Sequence, residues 1–159
     1  MQTIDPRLLA DLKRAEGCRL VAYRDPLGKW TIAFGHLLDQ SIDWTGYEIG
    51  QDAADGLLVQ DVLARTAQVA TLPEWSALDT AARQNALIEC VFNLGQGHWV
   101  SEFPKTRAAL QAKQWIPAAT NLLNSPTWVA QVGRPRVARL AGYFQSGSYS
   151  MPLASALPP

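Results

Sequence analysis

Two acidic side chains near the start of the chain, Glu16 and Asp25, have different predicted surroundings. Glu16 precedes a glycine at the end of a predicted helix, where exposed carbonyl groups disfavour another negative charge. We therefore expect its carboxyl group to hold a proton near neutral pH. Asp25 lies in a predicted turn, which is wetter, and should be ionised. A protonated and an ionised carboxyl group together can supply the acid and the base of a hydrolytic reaction.

Each of these residues also has an ordinary structural explanation. A Glu before a helix-ending Gly is often only a surface residue, and Asp25 begins an Asp-Pro-x-Gly sequence that is typical of a type I turn. Thr31 is favoured by the β-strand that contains it, and His36 can be a loop histidine. Taken singly, these residues do not establish a catalytic site.

The elements that must position these residues indicate an α+β fold. Asp5 and Pro6 are typical of a helix start, and helical spacing continues to Gly17. Two short segments rich in aliphatic and aromatic residues then flank a turn and predict a β-hairpin. We expect a single domain over residues 1–159 with a small helix and hairpin lobe at about 17–50. A connecting helix at about 51–70 should join it to a helical lobe at about 73–147, which includes the first helix, before a loose tail at 148–159.

Within the second half of the chain, Gly and Pro separate the helical segments. The predicted helices are Asp79–Leu94, Pro104–Lys113, Ile116–Leu123, Pro126–Val132 and Pro135–Gln145.

Composition excludes several kinds of protein. The 159 residues are 48% hydrophobic and 18% charged, which is typical of a folded globular protein. We expect no secretory signal, because charged residues interrupt the first apolar segment, and no stable membrane insertion. We also expect Cys18 and Cys90 to be free thiols within apolar helical patterns.

Charge is balanced overall but not along the chain. The 14 basic and 14 acidic residues give a net charge of zero, so we expect no nucleic-acid partner. Residues 101–159 contain six basic residues and one acidic residue, so this part carries +5 and the first hundred residues carry −5. The excess is either a solvated basic surface or a surface that attracts an anionic polymer such as a cell envelope.

The joint spacing of Glu16, Asp25, Thr31 and His36 resembles the phage lysozyme family of glycoside hydrolases, the T4-type lysozymes. In that family a helix ends in Glu-Gly, an Asp follows in a turn, and a Thr precedes Gly-x-Gly-His. Ala33 replaces the first of these glycines, which we expect to add only a methyl group. The resemblance extends over nearly the whole chain, through the segments QDV, CVFNLG, WIPAATNLL and WVAQVGRPR.

The resemblance implies a role for each matching residue. Glu16 would be the acid, Asp25 the base or charge stabiliser, and Thr31 the hydroxyl group that holds the attacking water in an inverting reaction. His36 would pair with Asp61, and Arg136 would lie near the site. The positions that would bind sugar are Leu37, Phe92, Thr106, Asn121 and Gln131.

The implied function is an endolysin muramidase that cleaves the β-1,4 bond between N-acetylmuramic acid and N-acetylglucosamine of bacterial peptidoglycan and lyses the host. A lytic transglycosylase is an alternative, and so is a catalytically silent wall-binding module. Asp25 and Thr31 argue against the first and the intact set of three residues against the second. We expect no cofactor or metal, a monomer in the host cytoplasm, and access to the wall through a separate holin-type pore.

Overall fold

The computed structural model describes residues 4–149 of the chain. The chain divides into two compact units, Met1–Ala64 and Arg65–Pro159. Among the described residues, the structure consists mainly of α-helices and one small antiparallel sheet. The predicted α+β class is confirmed.

The first unit begins with helix α1, Pro6–Glu16. The Asp5 carboxylate caps this helix by accepting a hydrogen bond of 2.8 Å from the backbone N–H of Arg7. Gly17 ends the helix with a φ of 67°, in the left-handed region that favours glycine. Because the helix ends there, Glu16 occupies its last position, as the sequence predicts.

A three-stranded antiparallel sheet follows α1 in the order β1-β2-β3. Its register is irregular: Arg19 lies opposite Ala33 and Tyr23 opposite Thr31, so the first strand has extra residues between these pairs. The backbone of β1 in this stretch bonds instead to the segment around Tyr47, with Ala22 N–H donating to Tyr47 carbonyl at 2.8 Å. The strands are β1 Arg19–Arg24, β2 Trp30–Ala33 and β3 His36–Leu37.

Helix α2, Gln51–Val69, begins in the first unit and ends in the second. A 3₁₀ turn at Trp75–Ala77 follows it. The remaining helices of the second unit, in chain order, are α3 Ala81–Leu94, α4 Gln96–Glu102, α5 Pro104–Gln111, α6 Trp115–Leu123, α7 Pro126–Val132 and α8 Arg134–Ser146. Among residues 4–149 there is no helix both long and apolar enough to span a membrane.

An aromatic cluster lies in the core of the second unit. Trp99 stacks on Phe103 with ring centroids 5.2 Å apart, and Phe103 meets Trp128 edge-on at 5.7 Å. The fully buried Glu74 accepts hydrogen bonds from Trp99 Nε1 at 2.7 Å and Arg107 Nε at 2.8 Å. The two donors give the buried carboxylate the hydrogen-bond partners that a polar group in the core requires.

A second buried carboxylate, Glu89 of α3, joins this helix to α8. Its Oε1 atom lies 3.1 Å from Arg136 Nε and 2.6 Å from Arg139 Nη2, while Oε2 accepts from Arg139 Nη1 at 3.0 Å. Two arginines of the basic second half are therefore bound to one acid of the first hundred residues.

The structure corrects the sequence predictions for one helix and one cysteine. Helix α4 is absent from the sequence prediction, which closes one helix at Gly95 and begins the next at Pro104; the buried Trp99 stabilises a helix between them through its packing. Cys18 lies beyond α1 and is exposed, rather than within an apolar helix, whereas Cys90 is buried in α3. Both thiols are free, as expected.

The predicted loose tail begins too early. Tyr149 packs edge-on against Tyr143, with ring centroids 5.2 Å apart, and its hydroxyl oxygen accepts a hydrogen bond from Asn85 Nδ2. The rest of the predicted tail, residues 150–159, lies outside the described part of the chain.

Candidate active site

Glu16 and Asp25 are both half-buried. The sequence predicts a more solvated environment for Asp25 than for Glu16, but the two side chains have a similar degree of exposure. The two carboxyl groups differ in position instead, since Glu16 is the last residue of α1 and Asp25 begins the turn between β1 and β2.

The turn holds one oxygen of Asp25 firmly. Asp25 Oδ1 accepts hydrogen bonds from the backbone N–H groups of Leu27 at 2.9 Å and Lys29 at 2.8 Å. The Asp25 backbone closes the same turn through bonds to Lys29 and Gly28. Within residues 4–149 no group donates a hydrogen bond to Oδ2 of Asp25. That oxygen is left as an acceptor for a ligand or a water molecule.

Thr31 lies in β2 with only 3% of its surface exposed. Its hydroxyl group donates to the carbonyl oxygen of Lys29 at 3.0 Å. Because the proton is committed to this bond, the hydroxyl oxygen offers lone pairs to any further partner. Lys29 thus links the two residues: its N–H holds Asp25 and its carbonyl orients Thr31.

Tyr23 connects the three predicted catalytic residues. It lies opposite Thr31 in the sheet. The pKa of Tyr23 is raised, chiefly by burial; the positive charge of Arg19 lowers it, and the charges of Asp25 and Glu16 raise it further. The charges of Glu16 and Asp25 therefore act on the phenol of the residue that pairs with Thr31 in the sheet.

His36 and Asp61 lie together in the first unit. His36 Nδ1 is 3.0 Å from each carboxylate oxygen of Asp61, and both side chains are partly exposed. The contact ties β3 to α2, because His36 belongs to the strand and Asp61 to the helix.

Two of the predicted sugar-binding residues share a pocket in the second unit. Thr106, which is buried, and Asn121 both line a cavity of about 450 Å³. Phe92 on α3 and Gln131 on α7 do not line it, and Leu37 is an exposed residue of β3 in the first unit. The other residues around the cavity are Glu102, Phe103, Pro104, Lys105, Asn124, Ser125 and Pro126.

Sequence reasoning missed the polar residues of this pocket. Lys105, Asn124 and Ser125 lie where α5 begins and where α6 gives way to α7. Pro104 and Pro126 mark the starts of α5 and α7 in the sequence, but helix packing determines which helix ends lie next to each other. Arg19 and Tyr23 were missed as well, since an arginine and a tyrosine in a strand carry no motif.

The effect of Ala33 is larger than predicted. Its φ is 57°, so a residue with a Cβ atom occupies a left-handed conformation in the buried end of β2. Such a conformation costs a non-glycine residue about 1–2 kcal/mol. Ala33, which stands where the phage lysozyme family has a glycine, therefore adds backbone strain as well as a methyl group.

The arrangement can perform acid–base chemistry. It contains one carboxyl group at a helix end, a second with a fixed orientation and an open oxygen, and a hydroxyl oxygen that can accept a hydrogen bond. Among residues 4–149, no three or more His, Cys, Asp or Glu side chains come together as potential metal ligands.

Comparison with known proteins agrees with this chemistry. The phage lysozyme family model matches residues 13–142. The chain is 28% identical over 163 residues to a protein of Dictyostelium discoideum named probable T4-type lysozyme 2, covering 86% of this chain and 92% of the relative. It is also 34% identical over 92 residues to a protein named endolysin from Acyrthosiphon pisum secondary endosymbiont phage 1, covering 58% of this chain and 60% of that protein.

Proposed function

Because this chain belongs to the phage lysozyme family, we propose that it is a muramidase of bacterial peptidoglycan. It hydrolyses the β-1,4 bond between N-acetylmuramic acid and N-acetylglucosamine, and this cleavage lyses the host. The observation that carries the proposal is the Asp25 turn, in which one carboxylate oxygen is fixed by Leu27 and Lys29 and the other is open.

In this proposal Glu16 protonates the leaving glycosidic oxygen. Its carboxyl group stands at the last position of α1. Asp25 acts as the base and stabilises the positive charge that develops on the sugar ring.

The attacking water binds between Asp25 and Thr31. Because both groups face it as acceptors, the water donates one hydrogen to Asp25 Oδ2 and the other to Thr31 Oγ1. Both lone pairs of the water oxygen then remain, and one of them attacks the anomeric carbon while Asp25 takes a proton from the water. A bound water between the base and the sugar is the arrangement of an inverting glycosidase.

The same proposal assigns residues that bind the glycan. Thr106 and Asn121 support this role because they share the polar pocket of the second unit. Leu37, Phe92 and Gln131 provide further sugar contacts, and the His36–Asp61 pair keeps β3 and α2 together.

Product analysis tests the reaction. Peptidoglycan digested by the protein should release sugars with a free reducing end, and NMR during the first turnovers should detect the inverted anomer. Anhydro sugars would instead identify a lytic transglycosylase, and the retained anomer would contradict inversion. If no sugar is released, the protein is a wall-binding module without catalytic activity.

Substitution of Glu16 tests its role. Glu16→Gln should lower the initial rate by about 10² to 10⁴ while the protein stays folded by circular dichroism. Glu48→Gln, the same change at an exposed residue of the same unit, is the matched control and should keep the parent rate. If folded Glu16→Gln retains more than about a tenth of the parent rate, proton donation at this position does not carry the reaction.

The proposal includes a cytoplasmic monomer that reaches the wall through a holin-type pore made by another protein. Expression of the chain alone should leave host cells intact until their membrane is permeabilised, and sedimentation should give a mass near 17.4 kDa. Lysis without permeabilisation would contradict the cytoplasmic location, and the mass of a dimer would contradict the monomer.

A further inference from the structure

Arg19 has a fixed position beside the catalytic residues. Its guanidinium carbon lies 3.9 Å from the centre of the Tyr23 ring, so the planar group stacks on the ring through a cation–π contact. Because Tyr23 is held in the sheet opposite Thr31, the stacking places the arginine head at one location on an exposed surface.

The donors of Arg19 are not used by the protein. Within residues 4–149 the guanidinium group of Arg19 makes no hydrogen bond and no ion pair. Arg24 of the same strand also covers an aromatic ring, that of Trp30 at 4.1 Å, but it donates to the carbonyl oxygen of Gly28. Arg14 at the end of α1 contacts Asp11. Arg19 therefore presents a guanidinium whose rigid set of donors can receive a planar anion.

The neighbours of Arg19 locate it at the active site. Glu16 ends α1 three residues before Arg19, Asp25 follows β1 directly, and Tyr23 under the guanidinium lies opposite Thr31. The charges of Asp25 and Glu16 also raise the pKa of Tyr23, which agrees with this placement. A wall glycan that reaches Glu16 and Asp25 would bring its substituents to the same surface. In peptidoglycan these substituents are short peptides with free carboxylates, attached through the muramic acid.

We propose that Arg19 is a specificity residue that binds a carboxylate of the peptide attached to the glycan strand. This inference rests on the proposed muramidase function. The guanidinium is pre-organised by the Tyr23 ring, so little side-chain entropy is lost when it receives a carboxylate through two parallel hydrogen bonds. Arg19 thereby favours peptide-bearing strands over the same glycan without free carboxylates.

The experiment compares one glycan with and without its negative charges. Peptidoglycan strands are used as isolated, after amidation of their carboxyl groups, and after enzymatic removal of the peptides, which leaves only the lactyl carboxylate. For the parent protein, kcat/KM on the isolated strands should exceed that on the amidated strands by about tenfold. Arg19→Gln should lose this preference through a higher KM on the isolated strands, with kcat unchanged.

Two further variants complete the test. Arg19→Lys keeps the charge without the planar set of donors and should recover only part of the preference. Arg14→Gln removes one positive charge close to Glu16 in sequence and should behave like the parent, because Arg14 is an exposed residue that contacts Asp11. Each variant is also titrated with a soluble peptide-bearing disaccharide in a Glu16→Gln background, so that binding is measured without turnover.

The outcomes separate this inference from the muramidase proposal. Equal losses for Arg19→Gln on isolated and amidated strands would overturn it, because Arg19 would then act through Glu16, Asp25 or the fold. An unchanged variant would identify an ordinary solvated arginine. A full preference retained on peptide-free strands would assign the lactyl carboxylate instead of the peptide. If the parent cleaves none of the strands, the muramidase proposal fails first.

Discussion

At the scale of single residues, hydrogen bonds determine which role each candidate catalytic side chain can take. Glu16 and Asp25 are equally plausible carboxyl groups by motif, and the folded turn fixes one oxygen of Asp25 through two backbone N–H groups. Thr31 gives its proton to Lys29, so its role toward a water molecule is that of an acceptor. The candidate residues could be predicted from their spacing, whereas these roles depend on which donors the folded turn supplies.

Substitution of Thr31 tests the acceptor role. Thr31→Val keeps the shape of the side chain but removes its hydroxyl oxygen, so the attacking water loses one of its two acceptors. The initial rate on peptidoglycan should fall by about 10², as expected when a reactant is no longer positioned. Thr31→Ser keeps the oxygen and is the matched control. Equal rates for the folded Val and Ser variants would show that this oxygen does not position the water.

The phenol of Tyr23 reports on both carboxylates. Its pKa is raised chiefly by burial and then by the charges of Asp25 and Glu16, while Arg19 lowers it. Glu16→Gln and Asp25→Asn should therefore each lower the Tyr23 pKa, and Arg19→Gln should raise it. NMR titration of labelled tyrosine rings measures the shift, with Tyr23→Phe identifying the signal. A Tyr23 pKa unchanged by all three substitutions would mean that these charges lie elsewhere.

At the scale of elements, local signals predicted the helices and strands that begin or end at caps. Asp5, Pro6 and Gly17 determine α1, and the Asp-Pro-x-Gly turn determines the hairpin. Helix α4 was missed because its stability comes from buried Trp99, which packs against a partner distant in sequence. The irregular register of β1 also escaped prediction, since alternation alone does not show where extra residues are inserted.

The end of α5 offers a test of local backbone strain. Gln114 N–H bonds to the Ala109 carbonyl at 2.8 Å and Lys113 N–H to the Leu110 carbonyl at 3.0 Å, which is the Schellman arrangement. Lys113 occupies its left-handed position with a φ of 55°. Lys113→Gly should raise the free energy of unfolding by about 1 kcal/mol, measured by urea denaturation.

The matched control for this change is Ala112→Gly, one residue earlier. Ala112 has a φ of −82°, so glycine relieves no strain there and should lower stability. If both substitutions change stability in the same direction, the left-handed conformation of Lys113 is not the cause.

The contact between α1 and α2 predicts a pH dependence. Lys13 Nζ lies 2.6 Å from Asp55 Oδ2, and this hydrogen bond, followed by that from Gln51, lowers the Asp55 pKa. A lowered folded pKa adds stability above the unfolded value, near about 3.9, that is lost as pH falls through the folded value. Asp55→Asn should therefore be less stable than the parent near neutrality, with the difference disappearing in acid.

Thermal unfolding from about pH 7 to about pH 2 measures this difference. Asp52→Asn on the same helix is the control, because Asp52 receives no hydrogen bond from Lys13 or Gln51. A stability difference for Asp55→Asn that persists below its folded pKa would contradict the assigned cause.

At the scale of the whole molecule, ion pairs reduce the charge asymmetry that the sequence displays. Arg107 binds Glu74, and Arg136 and Arg139 bind Glu89. Three of the six basic residues after position 100 thus neutralise two buried acids from the first hundred residues. The sequence could give the count of charges but not these pairings, because the partners are distant along the chain.

The remaining charge predicts a weak dependence of wall binding on salt. In the described part of residues 101–159, only Lys105, Lys113 and Arg134 have no carboxylate partner, and the net charge of the chain is zero. Long-range attraction to an anionic wall should therefore be small, and KM on peptidoglycan should rise only a few-fold between about 0.01 M and about 0.15 M salt.

The double variant Lys113→Gln and Arg134→Gln should reduce even this rise in KM with salt. A double change of Arg7 and Arg14 to Gln, in the first unit, removes the same charge and is the control. Initial rates on purified walls at each salt concentration provide the measurement. A rise in KM of more than about a hundredfold would show that the neutralised arginines still attract the wall. The basic excess would then act as a docking surface for an anionic polymer, and the ion pairs with Glu74 and Glu89 would not have screened it.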